Sequence, residues 1–352
     1  MEFDFLYDST ALTGLINRVP NRFGLVGSLG IFASEGIGST KVELREEEGS
    51  LTVLNHRPRG SGAQVNERKR GKTRVIQAGH FELEDLITPQ DVQDRLAVIG
   101  REKTPEAVED LVAKLLIAMA NKHYITLEWN RVGALSGIVL DGDGTTELVN
   151  LFDEFGITEK EVNFALDTST TKVLEKCEEV TDHIGQNLKG ETMTMVEGIC
   201  GTTYFNKFVQ HANVEKYYQN WQAAAALASP DRNKQGGNWG RTFEFGGLRL
   251  IEYKGTAPLS TGSSTPFVGA SQCRFYPVGT TETFATYFAP PDTLDAANAL
   301  AELHSDPDFG GEAQMFASPD ILKHGKGVEI YTESNPISIC RRPELLVKGI
   351  AA

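Results

Sequence analysis

Cysteine is scarce in this sequence. The 352 residues contain only four cysteines, and they are widely spaced: Cys177, Cys200, Cys273 and Cys340. They form no CxxC pair and no cluster with histidines, so neither a disulfide framework nor a zinc site is indicated. We therefore predict reduced, buried thiols in a cytosolic protein.

Long hydrophobic runs are also missing. The longest, LVAKLLIAMA at residues 111 to 120, is interrupted by Lys114 and is far too short to cross a bilayer. The N-terminal stretch MEFDFLYDST is acidic and has neither the basic nor the apolar region of a secretory signal. These two absences predict a protein with no membrane partner and no signal peptide.

Motifs for catalysis and cofactor binding are equally scarce. RGKT at residues 70 to 73 fails as a phosphate loop, because Asn66 stands where the first glycine belongs and the strand-like TRVIQ follows. LDGDGTTEL fails as a calcium loop, because its twelfth position is Phe152. No HExxH and no G-x-S-x-G motif is present. We predict no enzyme activity, cofactor or metal, and keep a soluble enzyme or nucleic-acid-binding protein with an unrecognised site as an alternative.

Positive charge is in deficit overall but concentrated in one place. The formal net charge of −14 argues against nucleic-acid binding by the whole surface. Residues 57 to 75, RPRGSGAQVNERKRGKTRV, nevertheless carry a single acid, Glu67. The cations of this basic segment are Arg57, Arg59, Arg68, Lys69, Arg70, Lys72 and Arg74. Such a concentration predicts a contact with another molecule.

The hydrophobic patterns mix helices and strands. Residues 1 to about 40 show no sustained period and read as an arm that packs on another surface. Residues 40 to 82 alternate at period two around the basic segment, which predicts a long hairpin that needs a partner surface. Thr104 and Pro105 begin the clearest helix, predicted to reach about residue 131.

Shorter elements follow in the second half. Hairpins are predicted from Gly137, with an Asp-Gly turn, and over TFEFGGLRLIEYKG. STTKVLEKCEEVTDHIGQNLKG predicts an amphipathic helix, and MTMVEGICGTTYFNKFVQH predicts a strand, a turn and a helix. QCRFYPVG and TFATYFAP read as strands, and the chain ends in a strand, a proline-containing turn and a final strand. The fold class is α+β.

Two late segments carry a family resemblance. ESNPISICRRPELLV, within GKGVEIYTESNPISICRRPELLVKG, resembles the end of the lambda-type major capsid proteins, the gpE family of tailed bacteriophages. RFYPVGTTETFATYFAPPD resembles that family's late segment. The N-terminal half is similar mainly in the order of its parts.

The resemblance implies the tailed-phage capsid fold, which is HK97-like. By that analogy residues 1–39 form the N-terminal arm and residues 40–82 the extended loop. Residues 83–166 would form the peripheral domain with its spine helix, and residues 167–329 the axial domain. Residues 330–352 would return to the peripheral domain.

The resemblance also implies a function and partners. The chain would assemble through pentamers and hexamers into an icosahedral virion shell around double-stranded DNA, without sequence-specific DNA binding. Assembly would take place in the host cytoplasm with a separate scaffolding protein, because no charged helical scaffold segment precedes the arm. A portal protein and possibly a decoration protein would be further partners. The alternative with a similar fold is an encapsulating shell of a cellular compartment.

The basic segment can then be given a hypothesis. We expect it to lie across a neighbouring subunit as an inter-subunit contact. The candidate acidic partners are Glu82, Glu84 and Asp85, the face at residues 106 to 110, or residues 46 to 48. The rival hypothesis is a DNA contact on the inner face of the shell.

Overall fold

The computed structural model describes residues 8–21, 24–46, 72–91, 105–189, 191–219, 240–280, 283–293 and 314–352. The helices in these ranges are α1 (Ser9–Asn17), α2 (Leu25–Leu29), α3 (Pro105–Ser136), α4 (Leu151–Phe155), α5 (Val173–Asn187), α6 (Thr202–Val209) and α7 (Ala212–Gln219). The first strands are β1 (Ala33–Gly36), β2 (Lys41–Glu46), β3 (Lys72–Gln77), β4 (Phe81–Ile87), β5 (Ile138–Leu140), β6 (Glu147–Asn150), β7 (Lys160–Asn163), β8 (Met195–Cys200) and β9 (Thr242–Phe245). The later strands are β10 (Leu248–Glu252), β11 (Thr256–Pro258), β12 (Ser264–Pro266), β13 (Gln272–Val278), β14 (Phe284–Phe288), β15 (Phe316–Ile321), β16 (Val328–Ser334), β17 (Pro336–Cys340) and β18 (Val347–Ile350). The mixture confirms the α+β class.

The predicted long helix is confirmed as α3. It begins at Pro105, has 32 residues and is about 48 Å long at roughly 1.5 Å per residue. It continues past residue 131 because Val132 and Leu135 extend its buried stripe. The helix ends before Gly137, whose φ of +79° favours glycine and whose missing Cβ leaves room for the Phe152 ring.

Two hydrophobic clusters lie along α3. Its first half contributes Val112, Leu116 and Met119 to a cluster with α1, β15 and β16. Its second half contributes Val132 and Leu135 to a cluster with β5, β14 and β17. The helix therefore connects two separate parts of the core.

Three sheets hold most of the described strands. The largest has six strands in the order β7-β18-β13-β8-β10-β9, and two others have the orders β1-β14-β17 and β15-β16-β4. In the large sheet β13 runs antiparallel to β8 and β18, whereas β10 runs parallel to β8. A parallel pair needs a connection that crosses over, and α6 lies within the connection from β8 to β10.

The amphipathic helix α5 packs against the six-stranded sheet. Its predicted stripe is confirmed by the full burial of Val173, Cys177, Val180 and Ile184. Phe164 adds an aromatic centre to the same cluster, with ring centroids 5.7 Å from Tyr204 and 5.8 Å from Phe275. This core contains three of the four cysteines, and all four thiols are free and buried, as predicted.

The predicted hairpins are present. The strands β2 and β3 pair antiparallel from Lys41 opposite Gln77 to Glu46 opposite Lys72. The hairpin from Gly137 is β5 with β6, and Asp143 accepts hydrogen bonds from both Thr145 and Thr146 in its turn. The hairpin with the Gly-Gly turn is β9 with β10. The connection between β2 and β3, which includes most of the basic segment, lies outside the described residues.

The arm contains a helix that the sequence pattern does not reveal. Asp8 caps α1 by accepting a hydrogen bond from the Thr10 backbone N–H at 2.9 Å. Leu12 and Ile16 are fully buried one turn apart, which confirms that the arm packs on another surface. The helix has only 9 residues, so its apolar period is too brief to be recognised in the sequence.

The C-terminus contributes one strand more than the sequence predicts. The proline at position 336 opens β17 instead of lying in a turn. The three final strands enter three different sheets: β16 pairs with β15 and β4, β17 with β14, and β18 with β13 and β7. The division into arm, loop, peripheral and axial domains stays a prediction.

Candidate inter-subunit surfaces

The basic segment is only partly within the described residues. The positions Arg57, Arg59, Arg68, Lys69 and Arg70 lie outside them. Lys72 opens β3 opposite Glu46, and its side chain is likewise not described. Arg74 is half-buried against its own subunit, with its guanidinium carbon 4.5 Å from the centroid of the Phe155 ring. The predicted inter-subunit role of these cations stays a prediction.

Arg74 fixes the base of the hairpin to the body of the subunit. Its Nη2 donates to the Phe155 carbonyl at 3.5 Å, so the guanidinium contacts both the ring and the backbone at the end of α4. A cation over an aromatic face contributes roughly 0.5–2 kcal/mol, with the larger values where water is excluded. Arg74 therefore positions the strands that lead to the rest of the basic segment.

The sheet β15-β16-β4 has one apolar face and one acidic face. Residues paired across antiparallel strands point to the same side, and alternate residues point to opposite sides. The inner side of β16 carries Val328 and Ile330, which pack in the cluster with α1 and α3. We call the outer side the acidic face; its carboxylate residues are Glu82, Glu84, Asp320, Glu329 and Glu333.

Two pairs of carboxylates lie directly opposite each other on the acidic face. Asp320 is paired with Glu329, and Glu82 with Glu333. Like charges directly opposite across strands destabilise a sheet by a few tenths of a kcal/mol to about 1 kcal/mol. The exposed carboxylates of Glu82, Glu84 and Asp320 therefore present negative charge that a cationic partner would compensate.

Glu333 is the buried exception on this face. Its side chain is fully buried, and its carboxylate accepts from the Asp292 backbone N–H at 2.9 Å and from the Tyr331 hydroxyl at 3.0 Å. Asn335 Nδ2 donates a third bond at 2.6 Å. The pKa of Tyr331 is raised, by burial and by this carboxylate. Glu333 thereby joins the end of β16 to the segment that follows β14.

His80 links this buried carboxylate to the hairpin. It lies between β3 and β4, with Nδ1 3.2 Å from Glu333 Oε1 and Nε2 3.6 Å from Glu82 Oε2. Gly79 beside it approaches the Pro336 carbonyl so closely that a Cβ would lie 3.2 Å from the oxygen. The base of the hairpin is thus fixed at two places, by Arg74 on one side and by His80 on the other.

A second buried carboxylate fixes the arm. Glu128 of α3 accepts from the backbone N–H groups of Val26 and Gly27 at 2.8 and 3.0 Å, and from the Tyr253 hydroxyl at 2.9 Å. Burial raises the pKa of Glu128, while the two N–H groups oppose that shift. Gly24 leaves no space for a side chain here, because a Cβ would collide with the Glu128 carboxylate.

The other predicted acidic partners differ in how far they are described. Glu84 and Asp85 are exposed on β4. The side chains of residues 46 and 106 to 110, and the whole of residues 47 and 48, lie outside the described residues. Sequence reasoning identified the acids of β4 but missed Asp320 and Glu329. The alternation in VEIYTES could have indicated Glu329, whereas its pairing with Asp320 could not be read from the sequence.

Metal-binding clusters and membrane-spanning helices are absent from the described parts of the chain. There, no group of three or more His, Cys, Asp or Glu side chains is placed to hold a metal ion. None of the helices in these ranges is long and apolar enough to cross a membrane. Burial raises the pKa of the thiols of Cys177 and Cys340 to about 12, which disfavours their reactive thiolate form.

Comparisons with known proteins identify the family. Residues 8–351 match the model of a family described as phage major capsid protein E. The major capsid protein of Pseudomonas phage KPP10 is 30% identical over 354 residues, covering 98% of this chain and 97% of that protein. The major capsid protein of Salmonella phage Felix O1 (isolate Felix O1-VT1) is 26% identical over 357 residues, covering 96% of this chain and 94% of that protein.

A solved structure shows the same fold. The crystal structure of a protein described as a prophage capsid protein of Escherichia coli CFT073 superposes with a TM-score of 0.61 at 14% identity. The match covers 98% of this chain and 99% of that one. The predicted family and fold are confirmed: the chain belongs to the phage major capsid protein E family and has the HK97-like capsid fold.

Proposed function

We propose that this chain assembles through pentamers and hexamers into an icosahedral shell around double-stranded DNA. Assembly takes place in the host cytoplasm with a separate scaffolding protein and a portal protein, and a decoration protein is a further candidate partner. The observation that supports the proposal is that one chain carries two surfaces of opposite charge. One is a hairpin that leads to a basic segment, and the other is an acidic face on a different sheet.

The contact follows from the charges of these surfaces. The acidic face and the basic segment of one copy carry opposite charge, so the basic segment of each copy can contact the acidic face of the next copy around a ring. Exposed ion pairs contribute only about 0.2–1 kcal/mol each, but several of them repeat around a closed shell. The basic segment then sets the register between subunits and makes assembly dependent on ionic strength.

Electron microscopy of the purified protein tests the assembly. We expect closed shells or capsomer rings, with the candidate scaffolding protein added where the chain alone does not close. Monodisperse small oligomers at every salt concentration would contradict the proposal. Extraction of DNA from particles made during infection separates a viral shell from an encapsulating shell of a cellular compartment.

A charge-swap experiment tests the contact. Arg68→Glu with Arg70→Glu is expected to abolish shells, and Glu82→Lys with Glu84→Lys in the same chain is expected to restore them partly. Lys172→Glu with Lys176→Glu is the charge-matched control, because it makes the same charge change at the cap and in the first turn of α5, where each lysine pairs with a glutamate of that helix. Normal shells with poor DNA retention would support the rival contact with DNA.

A further inference from the structure

The strand β4 is a free edge of the sheet β15-β16-β4. It pairs antiparallel with β16 on one side, and no strand of the described residues pairs with its other side. An edge strand presents a row of unpaired backbone N–H and C=O groups, to which another extended segment can bind. The edge of β4 therefore offers backbone partners directly beside the acidic face.

The unpaired backbone groups belong to Glu82, Glu84 and Leu86. Along an antiparallel pair, residues that bond across the ladder alternate with residues whose backbone groups point away from it. Leu86 opposes Glu329, and its N–H donates to the Asp85 carboxylate at 2.9 Å, so Leu86 points away from β16. Glu82 and Glu84 share its register and therefore point the same way. Their N–H groups have no other hydrogen-bond partner among the described residues.

Three carboxylates accompany this edge. Glu82 and Glu84 are exposed on the outer side of β4, and Asp85 is exposed on the inner side. Charged side chains protect an edge strand from unspecific pairing with other strands. Because these three charges have the same sign, they repel an acidic strand and attract a basic one.

We propose that the basic segment of a neighbouring copy adds to the free edge of β4 as a strand. The inference rests on the proposed function and deepens it, because it specifies how the basic segment binds beside the acidic face. Alternate side chains of a strand lie on the same face. Arg68 and Arg70 are two positions apart, as are the two glutamates of β4, so both arginines can lie opposite both carboxylates. Lys69 is then on the inner side, where Asp85 is exposed.

The pairing within one copy leaves this edge to a second copy. Only residues 78–80 separate β3 from β4, yet β3 pairs with β2 and not with β4. Lys72 opens β3, so the basic residues before it lead into a segment that is already extended. Backbone hydrogen bonds fix the direction and register of an added strand, and its alternate side chains provide specificity.

Disulfide trapping in assembled shells tests the strand addition. Glu84→Cys is combined, in three separate chains, with Arg68→Cys, Lys69→Cys or Arg70→Cys. The alternation of side chains predicts that intermolecular disulfides form at position 68 or 70 about tenfold faster than at position 69, seen as a ladder on a non-reducing gel. The four native thiols are buried, so the parent chain should give no ladder.

A proline substitution separates the backbone bonds from the charge. Glu84→Pro removes the edge N–H together with the carboxylate, whereas Glu84→Thr removes the carboxylate and retains the N–H. Proline is tolerated in an edge strand where the N–H points away from the sheet, and denaturant titration of the free subunits checks that both variants fold. We expect the lowest protein concentration that forms shells to be about tenfold higher for Glu84→Pro than for Glu84→Thr.

The outcomes separate this inference from the proposed assembly. Equal trapping at positions 68, 69 and 70, with equal assembly of the Pro and Thr variants, would overturn strand addition in favour of a purely electrostatic contact and leave the proposed assembly intact. A disulfide within single chains would overturn it in favour of the copy's own segment. Shells without trapping at any of the three positions would also overturn it. Absence of shells from the parent chain would contradict the proposed assembly, and strand addition with it.

Discussion

At the scale of single residues, buried carboxylates hold distant parts of this chain together. Glu128 receives two backbone N–H groups of the arm and the hydroxyl of Tyr253, which is 125 positions away in the sequence. A buried donor that loses its acceptor costs about 1–3 kcal/mol, so a site with three donors is sensitive to substitution.

Replacement of Glu128 should therefore follow a graded order. Glu128→Leu removes the acceptor of all three donors, and we expect a loss of about 3 kcal/mol or more in the free energy of unfolding. Glu128→Gln retains one acceptor oxygen and should lose less. Denaturant titration of the free subunit measures both, with Glu178→Gln on the exposed side of α5 as the control. A Leu variant as stable as the control would show that Glu128 does not anchor the arm.

His123 should make stability depend on pH. Burial lowers its pKa from 6.5 to about 4, and its Nε2 lies 3.1 Å from the Thr332 hydroxyl. Between these two values the unfolded chain binds a proton that the folded chain does not. The free energy of unfolding therefore falls as the pH falls from 6.5 towards 4, by on the order of 3 kcal/mol.

The comparison with a variant isolates this contribution. In His123→Gln the decline between pH 6.5 and 4 should be smaller than in the parent chain, because the neutral amide does not titrate. His324→Asn is the control, since His324 is exposed and its φ of +64° suits asparagine. Parallel stability curves for the parent chain and His123→Gln would rule out this origin of the pH dependence.

At the scale of elements, the hairpin β2–β3 depends on contacts at its base. Two strands alone are marginally stable in water. The contact of Arg74 with Phe155 and the contact of His80 with Glu333 therefore contribute to the stability of the hairpin. The contact of Arg74 with Phe155 is the better one to remove, because it does not involve the buried hydrogen-bond network around Glu333.

Arg74→Ala should loosen the hairpin locally. We expect amide hydrogen exchange in β2 and β3 to accelerate about two- to fivefold, as follows from the loss of about 0.5–1 kcal/mol. Arg249→Ala serves as the control, because Arg249 pairs with Glu197 in the six-stranded sheet, away from the hairpin. Equal acceleration in both variants would mean that the effect is global and unrelated to the base of the hairpin.

At the scale of the whole molecule, membership of the capsid family makes this chain a structural component of the virion that associates with itself. Its parts fit that role: the arm, the hairpin base and the C-terminal strands are each fixed by contacts between remote segments. On the acidic face, we expect a substitution that removes negative charge to stabilise the free subunit and to weaken assembly.

Substitutions on the acidic face should act in opposite directions on these two properties. Asp320→Asn removes the repulsion with Glu329, so the free subunit should gain about 0.2–1 kcal/mol in the free energy of unfolding. The same change removes charge from the proposed contact, so shells should form only at lower salt. Denaturation and light scattering measure the two effects, with Asp182→Asn on α5 as the control. A loss of stability together with unchanged assembly would contradict both expectations.

The sequence by itself determined the local elements and the family. The helix from Pro105, the buried stripe of α5 and the hairpins can be predicted from neighbouring residues, because helical and strand periods are visible within short stretches of sequence. The segment ESNPISICRRPELLV likewise indicated the family without any structure. The short helix α1 escaped this reasoning, since two turns with a serine, threonines and a glycine show too weak a period.

Only the tertiary structure decided which elements meet. Thr13 exchanges two hydrogen bonds with the backbone of Ala317, which is 304 positions away in the sequence. Likewise β4 pairs with β16, although most of the chain separates these two strands in the sequence. No local pattern encodes such pairs, because each depends on the burial of a whole surface at once. The acidic face, the carboxylate of Glu128 beneath the arm and the free edge of β4 are all products of this long-range packing, and the proposed contacts of the chain depend on them.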